Sequence, residues 1–218
     1  MGEKLLLFGP PGVGKGTQAI RLSAALRVPH ISTGDILRAS LQSHTPLGSQ
    51  VRRYVESGEL VPDETIVDVV RERLDRRDAR DGFVLDGFPR TVSQAVALAK
   101  ILGGIPPALD SVVVLHAPTE ALVERLSGRR ICESCQTSYH LSSRPPKHTG
   151  TCDRCGGVLI QRADDVEETV RFRQNDYAQK TQPVIDYFTV SGWPVRTVDA
   201  IGDIDQVFGR VYTAVFWG

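Results

Sequence analysis

Short apolar runs alternate with amphipathic segments along the chain. Residues 4–8 form an apolar run that ends at a glycine- and proline-rich turn. Ala19, Leu22 and Leu26 then recur at the three- and four-residue spacing of a helix. Further strands are predicted at 83–85, 111–115 and 195–198, and further helices at 93–102, 120–126, 168–188 and 203–216. Because strands that alternate with helices form a parallel sheet covered on both faces, the pattern predicts an α/β fold whose ligands bind at the carboxyl ends of the strands.

The composition is that of an ordinary globular protein with balanced charges. Of 218 residues, 41% are hydrophobic and 24% charged, and 26 Lys and Arg stand against 26 Asp and Glu. Proteins that bind nucleic acids or membrane surfaces usually carry a basic excess, so we expect neither partner here. The longest apolar runs fall well short of the roughly eighteen residues that span a bilayer, and residues 5–8 are too few for a signal peptide. We therefore expect a cytoplasmic protein.

All four cysteines fall in one short window, at Cys132, Cys135, Cys152 and Cys155. This C-x2-C-x16-C-x2-C spacing lets two turns supply four thiolates to one tetrahedral ion, which predicts a structural zinc site. Two redox C-x-x-C pairs are the weaker alternative, because neither pair follows a strand of a βαβ unit. Proline and glycine residues around the cysteines indicate a small metal-held flap inserted into the larger fold.

The segment GPPGVGKGT at 9–17 is the strongest chemical motif. Its glycines allow backbone N–H groups to point inward at a helix start, and Lys15 adds a cation for the β- and γ-phosphates. The general motif has Ser or Thr directly after the lysine, whereas this chain has Gly16 there and the hydroxyl only at Thr17. A strand before the segment and a helix after it predict a phosphate-binding loop rather than a simple turn.

Two further segments carry charged residues to the expected ligand edge. In residues 31–38, Ser32 or Thr33 caps a helix that holds Arg38, although this segment alone is more typical of a capped surface helix with a solvated arginine. After the apolar strand at 83–85, Asp86 is placed to organise Mg²⁺ and its waters, and Arg90 to bind a second phosphate group.

Six segments together resemble adenylate kinases of the bacterial long-lid, zinc-containing type. They are GPPGVGKGT, STGDILR, LDGFPRT followed by Gln94, GRR at 128–130, the four-cysteine window and RADD at 162–165. They occur in the family's order along essentially the whole chain. The resemblance implies a P-loop nucleoside-monophosphate-kinase fold, with a parallel sheet flanked by helices and an inserted zinc-binding lid.

The resemblance also implies three parts and a reaction. The core is expected at 1–31, 62–127 and 166–218, an AMP-binding segment at 32–61 and the lid at 128–165. The reaction of the family is reversible phosphoryl transfer from Mg·ATP to AMP, which yields two ADP. Mg²⁺ accompanies ATP, structural Zn²⁺ occupies the lid, and a monomer is expected.

Residue roles follow from the same resemblance, position by position. The ATP-binding residues are expected to be Gly12, Val13, Gly14, Lys15, Gly16, Thr17, Arg129, Ser138, Tyr139 and Gly202. The AMP-binding residues are expected to be Thr33, Arg38, Glu59, Leu60, Val61, Gly87, Phe88, Pro89, Arg90, Gln94, Arg162 and Arg173, with Thr33 and Gln94 near the adenine. The catalytic residues are expected to be Lys15, Asp86, Arg90, Arg125, Arg129, Arg162 and Arg173. The chain departs from the family at Asp199-Ala200, where Asp-Gly is more common, and this affects the contact expected at Gly202.

Two other functions are weighed against this one. A kinase for another nucleoside monophosphate, or one that uses GTP as donor, is disfavoured by the long zinc lid and Thr33. A zinc-ribbon module on a regulatory P-loop domain is disfavoured by the balanced charge and by the lack of an aromatic and basic cluster between Cys132 and Cys155. Five arginines in a charge-rich helix and turn are interpreted as surface residues, namely Arg71, Arg73, Arg76, Arg77 and Arg80. No histidine is assigned to catalysis, and Trp217 is compatible with either core packing or a contact surface.

Overall fold

A computed structural model describes residues 2–103 and 109–217 of the chain. The strands are β1 (Lys4–Phe8), β2 (His30–Ser32), β3 (Phe83–Asp86), β4 (Ser111–His116), β5 (Arg129–Cys132), β6 (Ser138–His140), β7 (Leu159–Ile160) and β8 (Val195–Asp199). The helices are α1 (Lys15–Leu26), α2 (Thr33–Gln42), α3 (Pro46–Ser57), α4 (Asp63–Leu74), α5 (Val92–Ile101), α6 (Thr119–Ser127), α7 (Glu167–Asp176), α8 (Gln182–Val190) and α9 (Ile204–Phe216).

Five strands form a parallel sheet in the order β2-β3-β1-β4-β8. Successive residues of a strand point to opposite faces, and both faces of β1 are buried. Leu6 and Phe8 pack with α5 and α8 on one face, whereas Leu5 and Leu7 pack with α1 and α9 on the other. The α/β architecture that the sequence pattern predicts is therefore confirmed.

Within the parallel sheet, β2 is the strand that the sequence pattern does not indicate. It has three residues, of which only Ile31 is buried, so its apolar signal is too short to separate from the turn before it. In the sheet, Ser32 pairs with Asp86 at the end of β3. The next helix starts there, because the Ser32 hydroxyl accepts from the N–H of Asp35 and caps α2.

The helix expected at 168–188 contains one irregular turn. Helix α7 continues through a π-helical turn at Tyr177–Thr181 into α8, whose first turn contains Pro183. Proline has no backbone N–H to donate, so the regular hydrogen-bond pattern cannot run through this position. The π-helical turn lines a cavity described below, and apolar periodicity alone does not reveal such a turn.

The cysteine window forms a second, antiparallel sheet of three strands in the order β6-β5-β7. Its buried cluster consists of Cys132, Tyr139 and Cys152, with Cys135 and Leu159 packed against them. Such a small cluster buries little apolar surface, so the segment needs another source of stability.

The C-terminal helix ends in an aromatic cluster at the surface. Tyr212 packs against Phe216 and Trp217, with ring centroids 4.6 Å and 5.8 Å away. Trp217 remains 74% exposed, so it packs on the helix end and not in the core. Within the described part of the chain, no helix combines the length and the apolar character that crossing a membrane requires.

Candidate active site

The glycine-rich loop joins β1 to α1 at the carboxyl edge of the parallel sheet. Its glycines Gly9, Gly12 and Gly14 all have positive φ angles, of 140°, 84° and 100°. A Cβ atom on Gly12 would also lie 2.8 Å from the side chain of Leu126 and 2.9 Å from the carbonyl oxygen of Leu122. Only glycine meets both demands, so the loop can curl against α6 just before the first turn of α1.

The ammonium group of Lys15 is held by carbonyl oxygens of its own loop. Lys15 Nζ donates to the oxygens of Gly9 and Pro10 over 2.7 Å and 3.0 Å. Desolvation lowers the pKa of Lys15 from 10.5 to about 8; Asp86 raises it in part, and nearby arginines lower it further. Lys15 is therefore still a cation at neutral pH, and an anion bound beside it would strongly stabilise its charge.

The end of β3 delivers a carboxylate and then an arginine to the same edge. Asp86 is 8% exposed, and its Oδ2 lies 3.8 Å from Nε2 of His30 on β2. Arg90 Nε donates to the carbonyl oxygen of Gly87 over 2.9 Å. Burial lowers the pKa of Arg90 from 12.5 to about 10, and Arg173 lowers it next most. The Arg90 guanidinium therefore lies in a pocket that already has an excess of positive charge.

Two aspartates from the RADD segment hold two more arginines in place. Arg129 Nε donates to Oδ2 of Asp165 over 2.7 Å, and Arg173 donates to Oδ2 of Asp164 over 2.7 Å. Asp165 is fully buried and Asp164 nearly so. Both carboxylates belong to a motif noted in the sequence but were assigned no role there. The ion pairs fix the guanidinium groups at the site, because a bidentate or buried pair allows few orientations.

Arg162 and Arg38 complete the group of cations. Burial lowers the pKa of Arg162 to about 10, followed by repulsion from Arg38 and Arg129. Arg38 pairs with Asp35 over 2.6 Å. The mutual repulsion shows that cations from the core, from α2 and from the cysteine-bearing insertion approach one another.

Two adjoining cavities lie beside these cations. The first, of about 530 Å³, is lined by the loop, Lys15, Phe88, Pro89 and the π-helical turn. The second has about 570 Å³, and nine of the residues predicted to bind AMP line it, namely Thr33, Arg38, Glu59, Leu60, Val61, Gly87, Arg90, Gln94 and Arg173. Arg90 and Arg173 line both cavities. Arg162 is not among the lining residues of either cavity.

The second cavity has an apolar and a charged part. Leu37, Val55, Val61 and Ile66 supply apolar surface, whereas the arginines supply positive charge. Gln94 is 2% exposed, and Asp63, which the sequence did not single out, accepts a hydrogen bond from it over 2.6 Å. The arrangement suits a molecule with a flat, partly apolar body and an anionic end.

Outside the loop, the residues predicted to bind ATP lie in the turn after β8, which contains Gly202, and in the cysteine-bearing sheet. Arg125 donates to the carbonyl oxygen of Ala200 over 3.0 Å, and this contact joins α6 to the turn that contains Gly202. Gly202 has a φ of 120°, and Gln206 and Arg210 crowd its Cα. A backbone contact with a ligand is compatible with this geometry.

Ser138 and Tyr139 lie on β6, with different surroundings. The Tyr139 hydroxyl accepts from the N–H of Asp153 over 2.8 Å and lies 3.5 Å from Sγ of Cys152. Its ring is buried in the cysteine-bearing sheet, whereas Ser138 is half-buried. The aromatic side chain thus supports the cysteine cluster, and a contact of this pair with nucleotide stays a prediction.

The four cysteine sulfurs fit a zinc ion. All four Sγ atoms lie within 4.8 Å of one another, and the Cys132–Cys155 and Cys135–Cys152 pairs are 3.4 Å and 3.6 Å apart. Four ligands at about 2.3 Å from a tetrahedral zinc would be roughly 3.8 Å apart. The hydrogen bond from Tyr139 lowers the pKa of Cys152 to about 6. A backbone hydrogen bond at Gly157 lowers the pKa of Cys155, but hydrogen bonds with the sulfurs of Cys135 and Cys132 outweigh it and raise the value to about 12. Thiols packed this closely therefore need a bound cation before all four can ionise, as zinc ligands must. The predicted zinc-binding segment is therefore supported by geometry and by donor chemistry.

Asp86 fits the role of a carboxylate near a hard cation. Its Oδ2 lies 3.5 Å from the position that a Cβ atom on Gly16 would take, directly beside the phosphate-binding loop. Oxygen donors of this kind, with phosphate oxygens and water, are the ligands that Mg²⁺ prefers.

Comparisons with known proteins agree with this geometry. The sequence profile of the family described as adenylate kinase matches residues 7–193. The adenylate kinase of Clostridium botulinum (strain 657 / Type Ba4) is 48% identical over 208 residues, which cover 95% of this chain and 96% of the relative. That of Syntrophobacter fumaroxidans is 47% identical over 95% of this chain and 97% of the relative. That of Methanosarcina barkeri is 49% identical over 95% of both chains.

Proposed function

Because the chain belongs to the adenylate kinase family, we propose that it transfers the γ-phosphoryl group of Mg·ATP to AMP and forms two ADP in a reversible reaction. Phosphoryl transfer between adenine nucleotides follows from the family itself. The assignment of donor, acceptor and metal rests on the convergence of cations at the two cavities. Because adenylate kinases are enzymes, membership of this family also argues against the alternative that the chain is a regulatory zinc module.

The convergence of Lys15 with arginines is the observation that carries the proposal. Burial and mutual repulsion lower the pKa of Lys15 to about 8 and those of Arg90 and Arg162 to about 10. In phosphoryl transfer the enzyme mainly positions two phosphates and neutralises charge on the oxygens between them. A buried cluster with unmatched positive charge is suited to that task.

We assign AMP to the second cavity. Its phosphate would lie at Arg38 and Arg90, and its adenine against the apolar part near Thr33 and Gln94. Planar guanidinium groups bind phosphate oxygens in pairs, so two arginines are enough to orient the acceptor. The backbone at 59–61 would close the cavity over the nucleotide.

We assign ATP to the glycine-rich loop. Residues 12–17 would bind its phosphates, and Arg125, Arg129 and the turn at Gly202 would hold the rest of the nucleotide. Thr17 and Asp86 would hold Mg²⁺ through oxygen atoms, some of them those of water molecules. When bound, the cation neutralises charge on the phosphate oxygens of ATP.

The reaction then needs only alignment. A phosphate oxygen of AMP attacks the γ-phosphorus of ATP in line with the leaving ADP. The bond from the γ-phosphorus to the bridging oxygen breaks, and its electrons remain on ADP. Lys15, Arg90 and Arg173 would stabilise the charge that spreads over the transferred group. The acceptor phosphate is already ionised, so the step requires no protein base.

The cysteine-bearing segment would serve as a lid. We propose that residues 128–165 close over ATP, bring Arg129 and Arg162 to the phosphates and exclude water. Water in an open site would accept the phosphoryl group in place of AMP. Zinc at the four cysteines would stabilise a segment that is too small to have a core of its own. In this proposal 32–61 binds AMP, the rest of the chain forms the core, and the enzyme acts as a monomer.

The assignment of the acceptor site is tested by Arg38→Ala. Loss of a guanidinium from the AMP phosphate is expected to raise the KM for AMP by at least about tenfold and to leave the KM for ATP within about threefold. A coupled assay of ADP formation measures both constants. Arg71→Ala is the matched control, because Arg71 pairs with Asp68 on the exposed face of α4. An unchanged KM for AMP in the Arg38 variant would contradict the placement.

A further inference from the structure

We propose that Asp63 determines which purine the acceptor site accepts, because it fixes the orientation of the Gln94 side-chain amide. The inference rests on the proposed function, in which the second cavity binds AMP. Asp63 is a positioning residue, since it lies behind Gln94 and acts on the base only through that amide.

The carboxylate of Asp63 is surrounded by donors from the start of α5. Thr91 Oγ1 donates to Oδ2 over 2.8 Å, Ser93 Oγ donates to the same oxygen, and Gln94 Nε2 donates to Oδ1 over 2.6 Å. Desolvation alone would raise the pKa of Asp63, but these hydrogen bonds hold it below its usual 3.8. Asp63 is therefore ionised at neutral pH and can only accept hydrogen bonds.

The other end of the Gln94 amide faces a group that can only donate. Gln94 Oε1 accepts from the backbone N–H of Arg90 over 2.7 Å. Rotating the amide by 180° would place its NH2 group against that N–H and its oxygen against the Asp63 carboxylate. Both contacts would be repulsive, and water can relieve them little at Gln94, which is 2% exposed, although Asp63 itself is only half-buried. The two partners therefore permit a single orientation of the amide.

Gln94 is suited to read a base from its place in the cavity. Among the described residues that line the cavity, it is the only one with a side-chain amide, and the apolar residues Leu37, Val61 and Ile66 line the same space. Asp63 and Arg90 use one N–H and one lone pair of the amide, which leaves one N–H and one lone pair for a ligand. A base that binds both groups must place a hydrogen-bond acceptor opposite the free N–H and a donor opposite the free lone pair.

Adenine and hypoxanthine differ in that order. Adenine has an acceptor at N1 and a donor at its 6-amino group, whereas hypoxanthine has a donor at N1 and an acceptor at its 6-oxo group. The fixed amide matches one of them, and the rotated amide would match the other. If the acceptor is a 6-aminopurine nucleotide, the amide orientation that Asp63 imposes pairs with its base. A 6-oxopurine in the same place would set donor against donor and acceptor against acceptor, and it is therefore excluded.

The experiment compares AMP with inosine monophosphate in the wild type and in Asp63→Asn. The two nucleotides have nearly the same shape, so size does not affect the comparison. Asparagine keeps the shape of Asp63, but its amide can donate as well as accept, which removes one of the two repulsions that oppose rotation of Gln94 and leaves only the N–H of Arg90 against it. The wild type is expected to prefer AMP by about a hundredfold or more in kcat/KM. The variant is expected to reduce this ratio at least about tenfold, with the KM for ATP unchanged. Calorimetric titration of each nucleotide without ATP measures the preference in binding alone.

Two further variants separate orientation from stability. Glu64→Gln removes the neighbouring exposed charge from the same first turn of α4, and it is expected to keep the wild-type ratio. Asp63→Glu keeps a carboxylate and is expected to retain most of the preference, which also provides a test if the asparagine variant folds poorly. An unchanged ratio in a folded Asp63→Asn would overturn the inference and leave the proposed function intact. Absence of AMP turnover in the wild type would instead overturn the proposed function.

Discussion

Arg90→Ala separates the contribution of a buried cation to stability from its contribution to catalysis. In the absence of nucleotide, the Arg90 side chain has one hydrogen bond, to the carbonyl oxygen of Gly87, among its described contacts. Burial disfavours its charge most, Arg173 and Arg38 repel it, and the attraction of Asp86 and Asp164 compensates only in part. The substitution removes a charge that the free enzyme holds at a cost.

The cost follows from the pKa of Arg90, which falls from 12.5 to about 10. This difference corresponds to about 3 kcal/mol at 25 °C. Because the folded-state value is the lower one, the full penalty applies at every pH below about 10 and is relieved as pH rises towards 12.5. The substitution also removes a hydrogen bond and side-chain packing, and these losses cancel roughly 2 kcal/mol of the gain in stability. The nucleotide-free variant is thus expected to be about 1 kcal/mol more stable than the wild type.

The effect on catalysis has the opposite sign. Phosphates convert the repulsion into attraction, and loss of the guanidinium is expected to lower kcat by about 10³-fold. Urea unfolding without nucleotide and a coupled assay of ADP formation measure the two effects. Arg71→Ala, at the exposed surface, is expected to change stability by less than about 0.5 kcal/mol and kcat by less than twofold. A destabilisation of Arg90→Ala by more than about 1 kcal/mol, or a kcat within tenfold of the wild type, would refute the reasoning.

Two further predictions concern the loop and the lid. The pKa of Lys15 is about 8 in the folded chain and 10.5 in the unfolded one, so the unfolded state binds more protons between these values. Urea unfolding is therefore expected to show that the wild type gains up to about 3 kcal/mol relative to Lys15→Met as pH rises from 7 to 10. Cys152→Ser is expected to lower zinc content, measured by elemental analysis, from one ion per chain to near zero. It is also expected to lower Tm by at least about 5 °C and to leave ATP binding to the loop within about threefold.

Each of these predictions has a clear contrary result. A pH-independent difference between the wild type and Lys15→Met would mean that the loop does not desolvate the ammonium group. Unchanged metal content and Tm in Cys152→Ser would mean that the four cysteines do not hold a structural ion.

The sequence predicts the frame of the fold well, because its central strands are buried on both faces. The runs at 4–8 and 111–115 match β1 and β4 closely, since continuous apolar residues bounded by turns have few other interpretations. The strand β2 was missed because three residues carry too little periodicity. The strands β5 to β7 were missed for the same reason, since turns and cysteines dominate that segment.

The site is predictable where a motif carries the chemistry and not where charge pairs are formed across the fold. Lys15, Arg90 and the cysteines follow from local motifs. The partners that orient them do not: Asp63 and Gln94 are 31 positions apart and meet only because α4 packs beside α5. The RADD segment places two carboxylates at the ligand edge, but their partners Arg129 and Arg173 come from other parts of the chain, so the motif alone does not show the pairs.

The most direct test of the central claim is ADP formation from ATP with AMP, GMP, CMP or UMP as acceptor, each with Mg²⁺ and with EDTA. Phosphoryl transfer by this site predicts rapid ADP formation with AMP, far slower formation with the other acceptors, and none with EDTA. Preferred turnover with another acceptor, or loss of ATP without any acceptor, would contradict the assignment of AMP and Mg·ATP to the two cavities.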